Sequence, residues 1–162
     1  MLCAAACSAS SAPPTPAATP SDAPSASPTP SASSAAPRTA AQVVAKLKAA
    51  GLPVGGVTVY TAATDPDRLL GRPNGYISKA AFVDKEIPAW RSAGQHGVDL
   101  GGVVEVFATA ADAATRKQYI ASVEASAATL GTEYDFLDGT VLLRLSEDLT
   151  GGQAQAFSAA LG

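Results

Sequence analysis

The stretch "EYDFLDGTVLLRLS", residues 133–146, decides the fold. Tyr134 and Phe136 alternate with Glu133 and Asp135. Val141, Leu143 and Leu145 alternate with Leu142 and Arg144. A period of two marks a strand with one face toward a core. Asp138-Gly139 between the two runs is a strong hairpin signal and predicts a type I′ turn. The pair is therefore antiparallel. Tyr134, Phe136, Val141, Leu143 and Leu145 are expected to face helices, and Glu133, Asp135, Leu142 and Arg144 the opposite side.

Upstream, Thr109 and Asp112 open a helix to about Leu130, with Ile120, Val123 and Ala127 on one face. "GGVVEVFA" from Gly101 and "YISKAAFVD" from Tyr76 read as strands, joined by a long aperiodic loop over 85–100. "RPNG" from Arg72 is a turn, and "TDPDRLLG" from Thr64 predicts one helical turn capped by Asp65, with Pro66 at its first position. "GVTVYT" from Gly56 predicts a strand with Val57 and Val59 inward. A first helix runs over 40–50, with Thr39 and Gln42 as a capping box. Thr150 and Gln153 repeat that box before a last helix whose Ala154, Phe157 and Leu161 face inward. The expected fold is α+β: a two-layer sandwich with a mostly antiparallel sheet of about five strands and helices packed on one face.

The outward sheet face is the candidate site. Parity places Lys79, Glu105 and Arg144 there beside Ile77, Val83, Val103, Phe107 and Leu142, with Thr58 and Tyr60. A fully solvated face carries fewer apolar side chains. Either the loop with Ile87, Pro88 and Trp90 folds across it, with Trp90 buried and the charges forming cross-strand ion pairs, or the face binds a ligand. Arg72, held between Gly71 and Pro73, presents a guanidinium suited to an anion, with Tyr76 beside it. Arg72 can instead clamp backbone or pair with Asp65 or Asp67.

Composition limits the rest. The chain has 162 residues and a net charge of −3. From Ser8 to Pro37 every residue except Asp22 is Ala, Ser, Pro or Thr, a composition that cannot form a core and predicts a disordered tether. The folded part, 38–162, is expected to be a single domain. It holds all 11 Lys and Arg and 13 of the 14 Asp and Glu (Asp22 being the other), a balance that argues against nucleic acid. Both cysteines precede the tether. "AAAC", ending at Cys7, has the small residues that precede an acylated cysteine, so residues 1–7 read as the remnant of a lipoprotein signal and Cys7 as the lipidation site.

No cofactor, metal or catalytic group is expected. The domain has no cysteine and a single histidine, His96, too few ligands for zinc. Ser78 and Lys79 are strand neighbours and point to opposite faces, so they form no dyad. His96 with Asp99 reads as solvated loop, and Asp65 with Asp67 as helix capping.

"DPDRLLGRPNGYISKAAF", "GGVVEVF", "ADAATRKQYI" and "EYDFLDGTVLLRLSEDLT" together resemble a family of small secreted lipoproteins of Gram-positive bacteria, of actinobacterial type. The resembling positions are Leu70, Gly71, Arg72, Pro73, Tyr76, Ser78, Lys79, Glu105, Arg116, Tyr119, Tyr134 and Arg144. Gly151 departs from the proline usual after the threonine. The resemblance implies an extracytoplasmic protein on the outer face of the cell membrane and carries no established activity. The expectation is thus a lipid-anchored binding or accessory module of the cell envelope. Its binding residues would be Arg72, Tyr76, Lys79, Glu105 and Arg144, and its partner an envelope protein or an anionic envelope component. An envelope hydrolase, and an inhibitory or structural subunit, are the alternatives.

Overall fold

The computed structural model describes residues 38–88, 90–91, 97–127 and 131–162. The chain divides into two units, Met1–Ser34 and Ala35–Gly162, and the described residues belong to the second. The signal remnant with Cys7, the tether and His96 lie outside the described residues.

The elements follow the order α1 (Ala40–Ala49), β1 (Val54–Val59), β2 (Tyr76–Asp84), a 3-10 turn (Val98–Leu100), β3 (Gly101–Phe107), α2 (Ala110–Ser126), β4 (Glu133–Asp138), β5 (Val141–Ser146) and α3 (Gly151–Leu161). The five strands form one sheet in the order β1-β2-β3-β5-β4, with every neighbouring pair antiparallel. The α+β class and the antiparallel sheet are those the sequence leads one to expect.

Both predicted capping boxes form. Thr39 accepts from the N–H of Gln42 and Thr150 from that of Gln153, while each glutamine side chain accepts from its cap residue's N–H. Each box occupies end donors that an α-helix cannot satisfy internally. The β4–β5 hairpin forms with its side-chain parity as expected but two residues off the register that an Asp138-Gly139 turn would set, because Asp138 itself pairs with Val141. Its two loop residues are therefore Gly139 and Thr140, and of these only Gly139 has positive φ, at 56°. That is the glycine-first hairpin turn, not the type I′ turn that needs positive φ at both positions.

The helices α1 and α3 pack on one sheet face, around Ala80, Phe82, Val104, Val106, Val141, Leu143 and Leu145. Phe82 stacks on Phe157 of α3 at 5.5 Å between ring centres. Tyr134 and Phe136 pack at the margin of this core, on the side the alternation assigned them. Helix α2 lies on the opposite face, where its Ala113 and Ile120 meet Tyr76, Phe107 and Leu142. The sheet is thus covered from both sides, a fuller layering than helices on one face. A helix joining β3 to β4 is free to cross either side of an antiparallel sheet, and here its short apolar stripe suits the mixed face.

Three local readings are corrected. Val57 and Val59 share the parity of Phe82 and Ala80, their partners across the ladder, yet are 45% and 55% exposed because β1 is an edge strand. Residues 64–71 form no helix. Arg68 takes a left-handed conformation, φ 55°, and the chain runs in successive turns to Gly75, where a side chain would collide with the Leu69 carbonyl. Trp90 is 74% exposed and carries Arg91 over its ring, while Ile87 is buried in the α1/α3 core. The loop's Trp90 therefore does not cover the mixed face.

Candidate functional site

One irregularity in β2 builds the site. Tyr76 pairs with Phe107 and Ser78 with Val106, leaving Ile77 as the extra residue of a bulge. Alternation beyond the bulge sends Ser78 toward α1, where its hydroxyl accepts the Ala40 N–H at 2.9 Å. Tyr76 and Lys79, three apart, both emerge toward α2. Ser78 and Lys79 are on opposite faces, as alternation requires.

Lys79 is buried, and its Nζ donates to Asp65 at 3.0 Å, to Asp67 at 2.6 Å and to the Tyr76 hydroxyl at 3.1 Å. It also stands over the rings of Tyr60 and Tyr76, 5.2 and 5.0 Å from their centres. The Tyr76 hydroxyl donates to the Asp65 carboxylate, 2.7 and 2.6 Å from its two oxygens. Asp65 accepts in addition from the backbone N–H of Leu69 and Leu70, at 2.8 and 3.1 Å. The residue predicted to cap a helix instead caps a loop and anchors a lysine.

The charges then alternate across the sheet. Asp67 accepts from Arg116 of α2 at 3.2 Å. Arg116 donates to both oxygens of Glu105, at 3.1 and 3.3 Å. Glu105, wholly buried, also accepts from Arg144 at 3.2 Å, and Arg144 grips both oxygens of Glu133 at 2.8 and 3.0 Å. Paired in this way, buried charges offset the desolvation that would otherwise expel them.

These contacts move the titrations in consistent directions. Burial raises the Asp65 carboxyl, but hydrogen bonds from Tyr76, Lys79, Leu69 and Leu70 outweigh it and hold the group at about 2. Burial raises Asp67 too, and Lys79, Arg116 and Arg144 bring it below the usual carboxylate range. Burial disfavours the charged forms of Arg116 and Arg144, yet Glu105 and Asp67 keep Arg116, and Glu133 and Glu105 keep Arg144, above their ordinary values. Tyr76 is pushed up by burial and by the carboxylates around it, so its hydroxyl stays a donor. Asp135 behaves differently. Burial, reinforced by Glu133, lifts it to about 7, and its Oδ1 has no partner among the described residues.

The expected binding residues Tyr76, Lys79, Glu105 and Arg144 are thus brought together, joined by Asp65, Asp67, Arg116 and Glu133. Arg72 is exposed in its turn, and no side-chain pairing of it with Asp65 or Asp67 occurs. Tyr76 is fully buried and does not flank it. Arg116 is the participant that periodicity leaves unassigned. Its signal is its place in the stripe Ala113, Arg116, Ile120, Val123, where a helix facing a core has no ordinary use for an unpaired charge.

Beside α2 the network forms the floor of an open cavity of about 680 Å³. Asp67, Arg116, Glu133 and Arg144 lie at its base, and Leu69, Ile120 and Val123 form apolar wall. Tyr119 lines it as well, 58% exposed, with Arg116 5.7 Å from its ring centre. Among the described residues no group of three or more His, Cys, Asp or Glu side chains is placed to hold a metal ion, and no helix is long and apolar enough to cross a membrane.

Fold and site together define a class: an antiparallel α+β domain with an ionic layer buried beneath one helix and a cavity opening on it. No family model, no curated protein and no solved structure matches the chain.

Proposed function

We propose that this chain is a lipid-anchored, extracytoplasmic binding or accessory module of the cell envelope, and that its ligand occupies the cavity beside α2. The observation that supports this reading is a cavity of about 680 Å³ above a floor of fixed charges, within the roughly 300–1,000 Å³ typical of small-molecule sites. A floor whose ions already hold one another presents a rigid surface at little entropic cost. The titrations favour binding over proton transfer. Of the groups lining the cavity, Asp67 is held low and Arg116 and Arg144 high, away from the near-neutral range a general acid or base needs, while Asp135, at about 7, does not line it. Location rests on the small residues before Cys7 and on the Ala/Ser/Pro/Thr stretch after it, which as a flexible coil of ~30 residues would give about 30 Å of reach.

Native mass spectrometry of the full chain, released from the envelope fraction of its cells, tests both parts. The expected result is a lipid mass on Cys7 and a non-covalent species that Thr115→Trp, an exposed position on the cavity wall, excludes. A free Cys7 thiol in the mature protein would overturn the anchor. A retained species indifferent to Thr115→Trp would overturn the cavity as the site.

A further inference from the structure

The cavity's charge balance identifies its ligand class. Five carboxylates line it, those of Asp67, Asp99, Asp112, Glu124 and Glu133, against the two guanidiniums of Arg116 and Arg144. Both guanidiniums already face carboxylates that neutralise their charge. Arg144 spends Nε and Nη2 on Glu133 and Nη1 on Glu105. Arg116 spends Nε on Glu105 and Nη2 on Glu105 and Asp67. Asp112 accepts from Thr109 at the start of α2. Among the described residues, no cation pairs with Asp99 or Glu124. An anion entering here would meet excess negative charge.

The walls add the second half of the specification. Leu69, Ile120 and Val123 offer apolar surface, and the exposed Tyr119 ring, with Arg116 5.7 Å from its centre, adds aromatic surface. A hydrated metal ion has no use for such walls, and the carboxylates are not grouped to strip its water. We infer that the cavity takes an organic cation, an ammonium or guanidinium group carried on an apolar body, with the charge at Asp99 and Glu124 and the body against Tyr119 and Val123. This rests on the cavity being the binding site, and it replaces the expectation of an anionic component held by Arg72.

Calorimetric titration of the full chain with four probes tests it: phenethylammonium, the neutral 2-phenylethanol, the anionic 3-phenylpropionate and calcium ion. Saturable binding of phenethylammonium alone is expected, weakened by added salt, abolished by Thr115→Trp, and weakened about tenfold by Asp99→Asn with Glu124→Gln, two charges each acting across a few ångströms of water. Unchanged thermal midpoints in these variants establish that they fold. Equal binding of the alcohol or the carboxylate, blocked by Thr115→Trp, overturns the charge assignment and leaves the cavity as the site. Binding of calcium without the amine overturns the organic body. Binding of no probe overturns both the ligand class and the cavity reading, as does amine binding that Thr115→Trp leaves intact.

Discussion

On one side of the sheet, Phe82 stacks against Phe157, and Leu143, Leu145 and Leu161 close around them. On the other, one residue along the same strands, Lys79, Glu105 and Arg144 lie under α2 in a chain of hydrogen-bonded ions. The apolar side is non-directional. It gains roughly 25 cal/mol per Å² wherever its side chains find cover, and tolerates repacking. The ionic side is directional, because each member depends on a neighbour at 2.6–3.3 Å. Replacing such a network wholesale with apolar residues can be neutral, whereas removing one member leaves a buried charge uncompensated. One sheet thus keeps most of its cohesion on one face and its shape specificity on the other.

That contrast is most sharply tested by two truncations. Glu105→Ala strips the shared anion from Arg116 and Arg144 and should cost about 3–5 kcal/mol of unfolding free energy, as much as Phe157→Ala on the apolar face. Denaturant titration of both variants measures this. The discriminating result is rescue. Glu105→Leu combined with Arg116→Met and Arg144→Met should recover most of the loss, while no partner substitution should recover Phe157→Ala so fully. A Glu105→Ala cost under 1 kcal/mol would place the network's energy at the surface-pair level.

Next in size is the acid limb of stability. Asp65 titrates at about 2 in the folded chain, below its unfolded value of 3.8. Its contribution is present above pH 4 and is lost as pH falls toward 2, amounting to about 2 kcal/mol. Asp135 has the opposite sign. Its folded value of about 7 lies above its unfolded one, so the folded state keeps a proton that the unfolded chain releases. Stability should therefore decline between pH 4 and 7 on its account. Asp135→Asn should flatten that limb, and Asp65→Asn should flatten only the limb below pH 4. Thermal midpoints across pH 2–8 distinguish the two.

The smallest effect is expected at Arg72. Exposed and outside the network, it should change stability by less than about 0.5 kcal/mol when replaced by alanine. A drop of several degrees in the thermal midpoint would reveal a structural clamp.

The legible parts of this molecule are those fixed by near neighbours. The 133–146 hairpin, the parity of its side chains, and the boxes at Thr39 and Thr150 depend on contacts within a few residues, and local pattern reports them. Parity also placed Lys79, Glu105 and Arg144 on one face. What covers that face was not legible. Alternation describes a strand's two sides but not which helix arrives over either, so α2 and its Arg116 are assigned only in three dimensions. For Arg72 the turn was legible, but whether its guanidinium meets Asp65 or Asp67 was not, and in the fold it is exposed and meets neither. Asp65 was identified as a cap, but its second role required knowing that Lys79 would lie within 3.0 Å of it.

The bulge at Ile77 also bears on how this strand can change length. Alternating faces act as a two-letter reading frame, and a strand that gains or loses one residue normally scrambles everything on one side of the change. Here the frame already contains a spare letter. Deleting Ile77 would leave Tyr76 opposite Phe107 and Lys79 opposite Glu105, in phase on both sides of the gap. Deleting Ala80, three positions on, would instead turn Lys79 into the apolar core or Phe82 out of it. Single-residue length variation in β2 is therefore confined to the neighbourhood of one residue, and the ionic layer tolerates it there because its two β2 members stand on either side of the spare position.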